Sequence, residues 1–161
     1  DFKLEWLDRT FYGYFKRSRV LMVLQAIEEY LQTNAAMGEP IIAFDFSKLT
    51  IEHIMPQEWQ ANWPFEGDER ARALRDRKLH GIGNLTLVSG SLNPAMSNAP
   101  WTPPEDQPEA PHKVRALQEH TRLQLNLRLL QGWPTAWHEN AIDERAEALF
   151  EQALAIWPRQ S

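Results

Sequence analysis

The chain has 161 residues, 43% hydrophobic and 24% charged, long enough for one domain with a continuous core and too short for two comfortable ones. Seven Trp and an aromatic content of 11% argue against disorder, no apolar run reaches the roughly 18–20 residues of a membrane span, and zero Cys removes disulfides, thiolate metal sites and cysteine nucleophiles together. A net charge of −5 speaks against holding nucleic acid by bulk positive charge, so any contact with a polyanion has to be local.

The chain begins with Asp1 and shows no charged-then-apolar signal, so 1–161 reads as a piece of a longer protein or a processed product. Residues 1–15 are rich in aromatics and carry no clear period. Val20, Val23, Leu24, Ile27 and Leu31 recur at three and four, which predicts a helix over about 18–33 with one buried face. Ile41-Ile42-Ala43-Phe44 is short and apolar enough for a strand, and 49–55 reads as a second strand stopped by Pro56. A charged helix is expected over 66–78, acidic at its start and basic at its end, an order that suits the helix dipole. His80-Gly81-Ile82-Gly83-Asn84 is a turn, Leu85-Thr86-Leu87-Val88 a strand, and 93–98 leaves room for a short helix. Five prolines between 100 and 111 mark a loop. Two helices, about 113–131 and 136–157, close the chain, the second with Thr135 as its cap.

The expected class is α+β and mostly helical. A small two-strand and short-helix core over 49–98 is flanked by a helical part at 1–48, a Pro-rich loop at 99–112 and C-terminal helices at 113–161. Within that core His53 has the sharpest context. It stands in Ile51-Glu52-His53-Ile54-Met55-Pro56-Gln57, where Glu52 and His53 fall at a strand end and polar groups can converge on a ligand. A lone His beside a Glu in an apolar strand also suits a hydrogen-bonded structural residue, and each Asn of the set Asn84, Asn93 and Asn98 also suits a turn. Their order is more specific than any one of them: Glu-His, then Gly-Asn before a strand, then Asn just beyond it. It suggests two strands and a short helix wrapped around one metal ion.

In these segments, together with Leu92-Asn93, Ser97-Asn98, Trp137, Ile142, Arg145 and Ile156-Trp157-Pro158, the sequence resembles the HNH (His-Me finger, ββα-metal) endonucleases. It resembles most the nuclease domain at the C-terminus of GmrSD-like modification-dependent restriction enzymes and of the phosphorothioate-sensing protein SspE. The resemblance implies a bacterial, cytoplasmic DNA endonuclease or nickase of restriction or anti-phage defence, leaving 5′-phosphate and 3′-hydroxyl ends. It places His53 as general base, Asn84 as the middle Asn that braces the loop and orients the imidazole, and Glu52 and Asn93 as ligands of one ion. His80 and Asn98 match further positions without an assigned role. The third motif position is Asn rather than the second His of the name-giving pattern, and oxygen donors at Glu52 and Asn93 suit Mg²⁺ or Mn²⁺ better than zinc.

Arg70, Arg72, Arg75, Arg77 and Lys78 put five cations in one helix beside the site, readable as a contact with double-stranded DNA or as a solvated helix end. Lys16, Arg17 and Arg19 read as a helix-start surface, and Lys113, Arg115, Arg122 and Arg128 as solvent-facing. Trp59, Trp63 and Trp101 suit core packing better than base stacking. The implied partners are double-stranded DNA, phage-derived or modified, and an N-terminal nucleotide-hydrolysing sensor domain of the same protein. The alternative is a non-cleaving DNA- or protein-binding module of HNH-like shape.

Overall fold

A computed structural model describes residues 1–39 and 45–158, apart from the side chains of Asn93 and Ala95. The strand expected at Ile41-Ile42-Ala43-Phe44 lies outside the described residues. In chain order the elements are α1 (Phe2–Asp8), α2 (Phe11–Tyr14), α3 (Arg17–Ala35), β1 (Leu49–His53), α4 (Glu69–Lys78), β2 (Leu85–Ser89), α5 (Asn93–Met96), α6 (Lys113–His120), α7 (Gln124–Gly132) and α8 (Glu139–Ile156). The fold is α+β and mostly helical, with one two-stranded antiparallel sheet among the described residues.

The sheet sits between two apolar clusters. Ile51, Leu85 and Leu87 face the stripe Val20, Leu24, Ile27 and Leu31 of α3 and the residues Ala146, Leu149 and Phe150 of α8. Val88, with Ile54 and Met55 just past β1, faces Trp59, Trp63, Trp101 and Trp137. Leu24 and Ile27 are fully buried, each contributing on the order of 1.5–3 kcal/mol by leaving water. The aromatic N-terminus finds its partners far along the chain. Trp6 packs on Phe150 and donates to Ala146 O at 3.0 Å, contacts no local period announces, besides meeting Phe11 nearby. α2 is a single bent turn in which Gly13 takes φ 88°, open to glycine at little cost.

β1 pairs with β2 in the register Leu49↔Ser89 through His53↔Leu85. It ends at His53, two residues earlier than expected, because Asn84 captures the chain beyond it: Ile54 N donates to Asn84 O at 2.9 Å and Met55 N to Asn84 Oδ1 at 2.8 Å. α4 starts at Glu69 because Asp68 caps it, accepting from Ala71 N at 2.8 Å.

The single helix expected over 113–131 is two. The chain is extended at Thr121 (ψ 148°) and Leu123 (ψ 135°). The buried Glu28 of α3 then caps α7, its two carboxylate oxygens accepting from Gln124 N and Leu125 N at 2.8 Å each. α8 begins at Glu139 after His138, so Thr135 is not its cap. α8 presses on the turn before β2. A Cβ at Gly83 would stand 2.0 Å from Ile142 O, so only glycine fits where the helix backbone approaches.

Candidate functional site

The C-terminal end of β1 opens onto a cleft of about 520 Å³ whose lining includes Tyr12, Arg17, Glu52, His53, Glu58 and Asn98. Adjacent strand residues normally diverge, but the strand stops at His53, so Glu52 and His53 both border this space. α5, opened by Asn93, packs against β1. The order strand, strand, short helix therefore closes in space as well as in sequence.

His53 is buried, 6% exposed. Its Nε2 lies 3.3 Å from Nδ1 of His80, one ring donating and the other accepting. Tyr12 meets the His53 ring edge-on at 4.5 Å and lies nearly parallel to His80. The backbone N–H of Tyr12 donates to His80 O at 3.0 Å, which ties the N-terminal turn to this pair. Burial first, and then the charges of His80 and Lys113, hold the His53 imidazole down to about 4, so it is neutral at neutral pH.

Glu52 is half-buried, and burial raises its carboxyl above the usual range while the charge of Lys113 and the His53 backbone N–H oppose the rise. Lys113 is the residue that reading the sequence misses. Expected on a solvent-facing surface, it is fully buried, donating from Nζ to His53 O at 3.1 Å and to Ser97 O at 3.0 Å. Burial pulls its ammonium down to about 8, with Glu52 acting in the opposite sense. It ties the end of β1 to the segment after α5, the two sides of the cleft. The exposed Arg115 on α6, Arg122 between α6 and α7, and Arg128 on α7 stand where the sequence put them.

Asn84 is fully buried and does not bond the imidazole. Oδ1 accepts from Met55 N and, at 3.0 Å, from Trp137 Nε1; Nδ2 donates to Met55 O at 2.9 Å and Leu79 O at 3.0 Å. It braces the chain just after His53 rather than orienting the ring itself. Asn98 is exposed at the cleft, its carbonyl held by Asn62 Nδ2 at 2.7 Å. Arg145, which the sequence left open to an ion pair, is buried and donates from Nη1 to Gly83 O and Leu85 O at 2.7 Å each. It clamps the strand segment that carries Asn84, at the cost of a burial that lowers its guanidinium to about 9.

The basic helix divides. Arg75 is buried, paired with Glu139 through two nitrogens, donating to Pro64 O at 2.9 Å and stacked on Trp59 and Phe65. Lys78 is paired with Asp143. Arg70, Arg72 and Arg77 stay exposed. Arg17, expected on a mere helix-start surface, lines the cleft itself. Trp59, Trp63 and Trp101 are buried in the core.

The donors on offer to a metal are hard oxygens. The Glu52 carboxylate borders the cleft, and among the described residues no three of His, Asp and Glu are grouped to cage an ion by themselves. One carboxylate at an open cleft is a donor that a hard divalent cation takes together with waters and substrate phosphates.

A two-stranded antiparallel sheet and a short helix pack so that a histidine and a carboxylate share one cleft inside a helical shell; it is the family match that makes this a restriction endonuclease-type domain, with DNA as the substrate class. Residues 1–152 match the family model of the C-terminal domain of GmrSD restriction endonucleases, and the chain belongs to that family. No curated protein and no solved structure matches it. No helix among the described residues is long and apolar enough to cross a membrane.

Proposed function

We propose that the chain is a metal-dependent DNA endonuclease or nickase of the HNH (ββα-metal) type, with His53 as general base. The observation that carries it is the meeting of a buried imidazole and a carboxylate at one strand end, in an open cleft bordered on its other side by Ser97 and Asn98, just past the short helix of Asn93. Hydrolysing a phosphodiester needs a base for water, in-line attack, and positive charge on the phosphate as negative charge builds. With Nε2 engaged by His80, Nδ1 of His53 is the ring nitrogen left to take the proton of the attacking water. Glu52 and Asn93 would hold one Mg²⁺ or Mn²⁺. The ion supplies charge neutralisation at the scissile phosphate and the leaving oxygen.

Arg17 at the cleft, and Arg70, Arg72 and Arg77 on α4, supply phosphate contacts to an otherwise acidic protein. A net charge of −5 makes nonspecific affinity weak, which fits delivery to phage or modified DNA by a nucleotide-hydrolysing sensor domain of the same protein. Nicking of supercoiled plasmid with Mg²⁺, Mn²⁺ or EDTA tests the proposal. Cleavage in either metal and none in EDTA is expected, with His53→Ala slower by about 10²–10⁴ and folded by circular dichroism. DNA retardation without cleavage in any metal would instead support a binding module of the same shape.

A further inference from the structure

A second cavity, of about 150 Å³, lies between α3, α7 and α8 and shares no lining residue with the cleft at β1. Leu31, Leu129 and Leu149 are among its apolar walls. Its charged and amide side chains are Arg145, Gln152 and, exposed at the rim, Arg128. No carboxylate lines it, although the chain as a whole carries a net charge of −5.

Two buried polar atoms of this lining have no hydrogen-bond partner among the described residues: Nη2 of Arg145, a donor, and Oε1 of Gln152, an acceptor. Buried polar atoms are rarely left so, and these two belong to residues two turns apart on one face of α8. Arg145 is 3% exposed, and its bonds from Nη1 go to neutral carbonyls, Gly83 O and Leu85 O. Carbonyls solvate a cation without balancing its charge, and an unbalanced buried charge is costly.

The complement of such a lining has three parts. An anionic acceptor meets Nη2, a hydroxyl donor meets Oε1, and a compact apolar body meets the leucines. An amino acid is a poor match, because its ammonium would stand beside the guanidinium. An apolar cavity of this size takes a ligand about as large as benzene. We propose that the cavity binds a small apolar hydroxy acid, its carboxylate on Nη2 of Arg145 and its hydroxyl on Oε1 of Gln152. The ligand would bring a charge-assisted hydrogen bond to a buried cation that no carboxylate of the lining meets. Since Nη1 of the same guanidinium holds the start of β2, occupancy also stabilises the segment that carries Asn84.

The test uses α-hydroxyisovalerate, which combines a carboxylate, a hydroxyl and a branched apolar body, in titration calorimetry and thermal melting of the whole chain. One-to-one binding with a dissociation constant of about 1 mM or tighter is expected, and melting should rise as the site fills. Replacing the acid by its neutral primary amide, or the protein by Gln152→Met, should weaken binding about tenfold or more, through loss of the charge or of the acceptor. Gln152→Met should melt no lower than wild type without ligand, since it removes an unmet acceptor. Absence of saturable binding overturns the proposal and leaves water to meet the two atoms. Equal affinity for acid and amide also overturns it, as does undiminished affinity in folded Gln152→Met, or chloride at equal ionic strength raising the melting temperature as much as the acid. If Gln152→Met does not fold, the comparison of acid, amide and chloride in the wild type decides alone.

Discussion

His53 is held by three neighbours: His80 against Nε2, the Tyr12 ring set edge-on to the imidazole, and Lys113 on its carbonyl. Because burial and nearby cations lower its pKa to about 4 from the usual 6.5, the unfolded chain binds a proton in that window that the folded one refuses. Stability then rises with pH across the window and is lost as pH falls from 6.5 toward about 4. Melting in EDTA should show this loss, and His53→Gln should flatten it; an identical pH profile in the variant would contradict the buried, neutral ring. At Asn84, alanine leaves Met55 N–H and C=O, Leu79 O and the Trp137 N–H without their partner. A loss of about 3 kcal/mol in chemical denaturation is expected. Glu52 and His53 stand out because they adjoin in one short motif; Asn84 shows only its glycine turn, since its partners Met55 and Trp137 lie 29 and 53 residues away. Lys113 does not stand out: its carbonyl partners are 60 and 16 residues away, and a lysine spaced among other cations looks like any solvated helix face.

At the scale of elements, the stripes of α3 and α8 and the two strands follow from periodicity, which reports which face is buried. The break between α6 and α7 does not, because the carboxylate that starts α7 comes from Glu28, about a hundred residues earlier. Glu28→Ala should cost about 2 kcal/mol or more in denaturant unfolding; a stability within 0.5 kcal/mol of wild type would mean that α7 starts without this cap. α4 shows the same limit differently. Its five cations are equivalent in sequence, yet the structure commits Arg75 to Glu139 and Lys78 to Asp143 and leaves Arg70, Arg72 and Arg77 exposed. Arg75→Ala should therefore destabilise by about 3 kcal/mol, the cost of orphaning a buried partner. The triple change of Arg70, Arg72 and Arg77 to Ala should leave melting unchanged while lowering the salt slope of DNA binding by up to about 0.9 per lost contact. Equal effects on melting from both variants would contradict the division.

For the whole molecule, length and apolar content pointed to one core, and the structure splits it into two clusters with the two-stranded sheet between them. That placement buries most of both strands, while Glu52 and His53 at the end of β1 border the cleft. The clamp from Arg145 to Gly83 and Leu85, and the close seat of α8 on Gly83, hold the start of β2 from behind. The site's geometry thus depends on a helix more than fifty residues downstream, beyond what strand and turn signals convey. Chemical rescue bears most directly on the central claim that an imidazole at this position takes the proton of the attacking water. Under single-turnover conditions with Mg²⁺, His53→Ala should cleave DNA at least about a hundredfold more slowly than wild type, and added imidazole should restore part of the rate as its neutral form increases. A folded His53→Ala variant that cuts as fast as wild type, indifferent to imidazole, would contradict it.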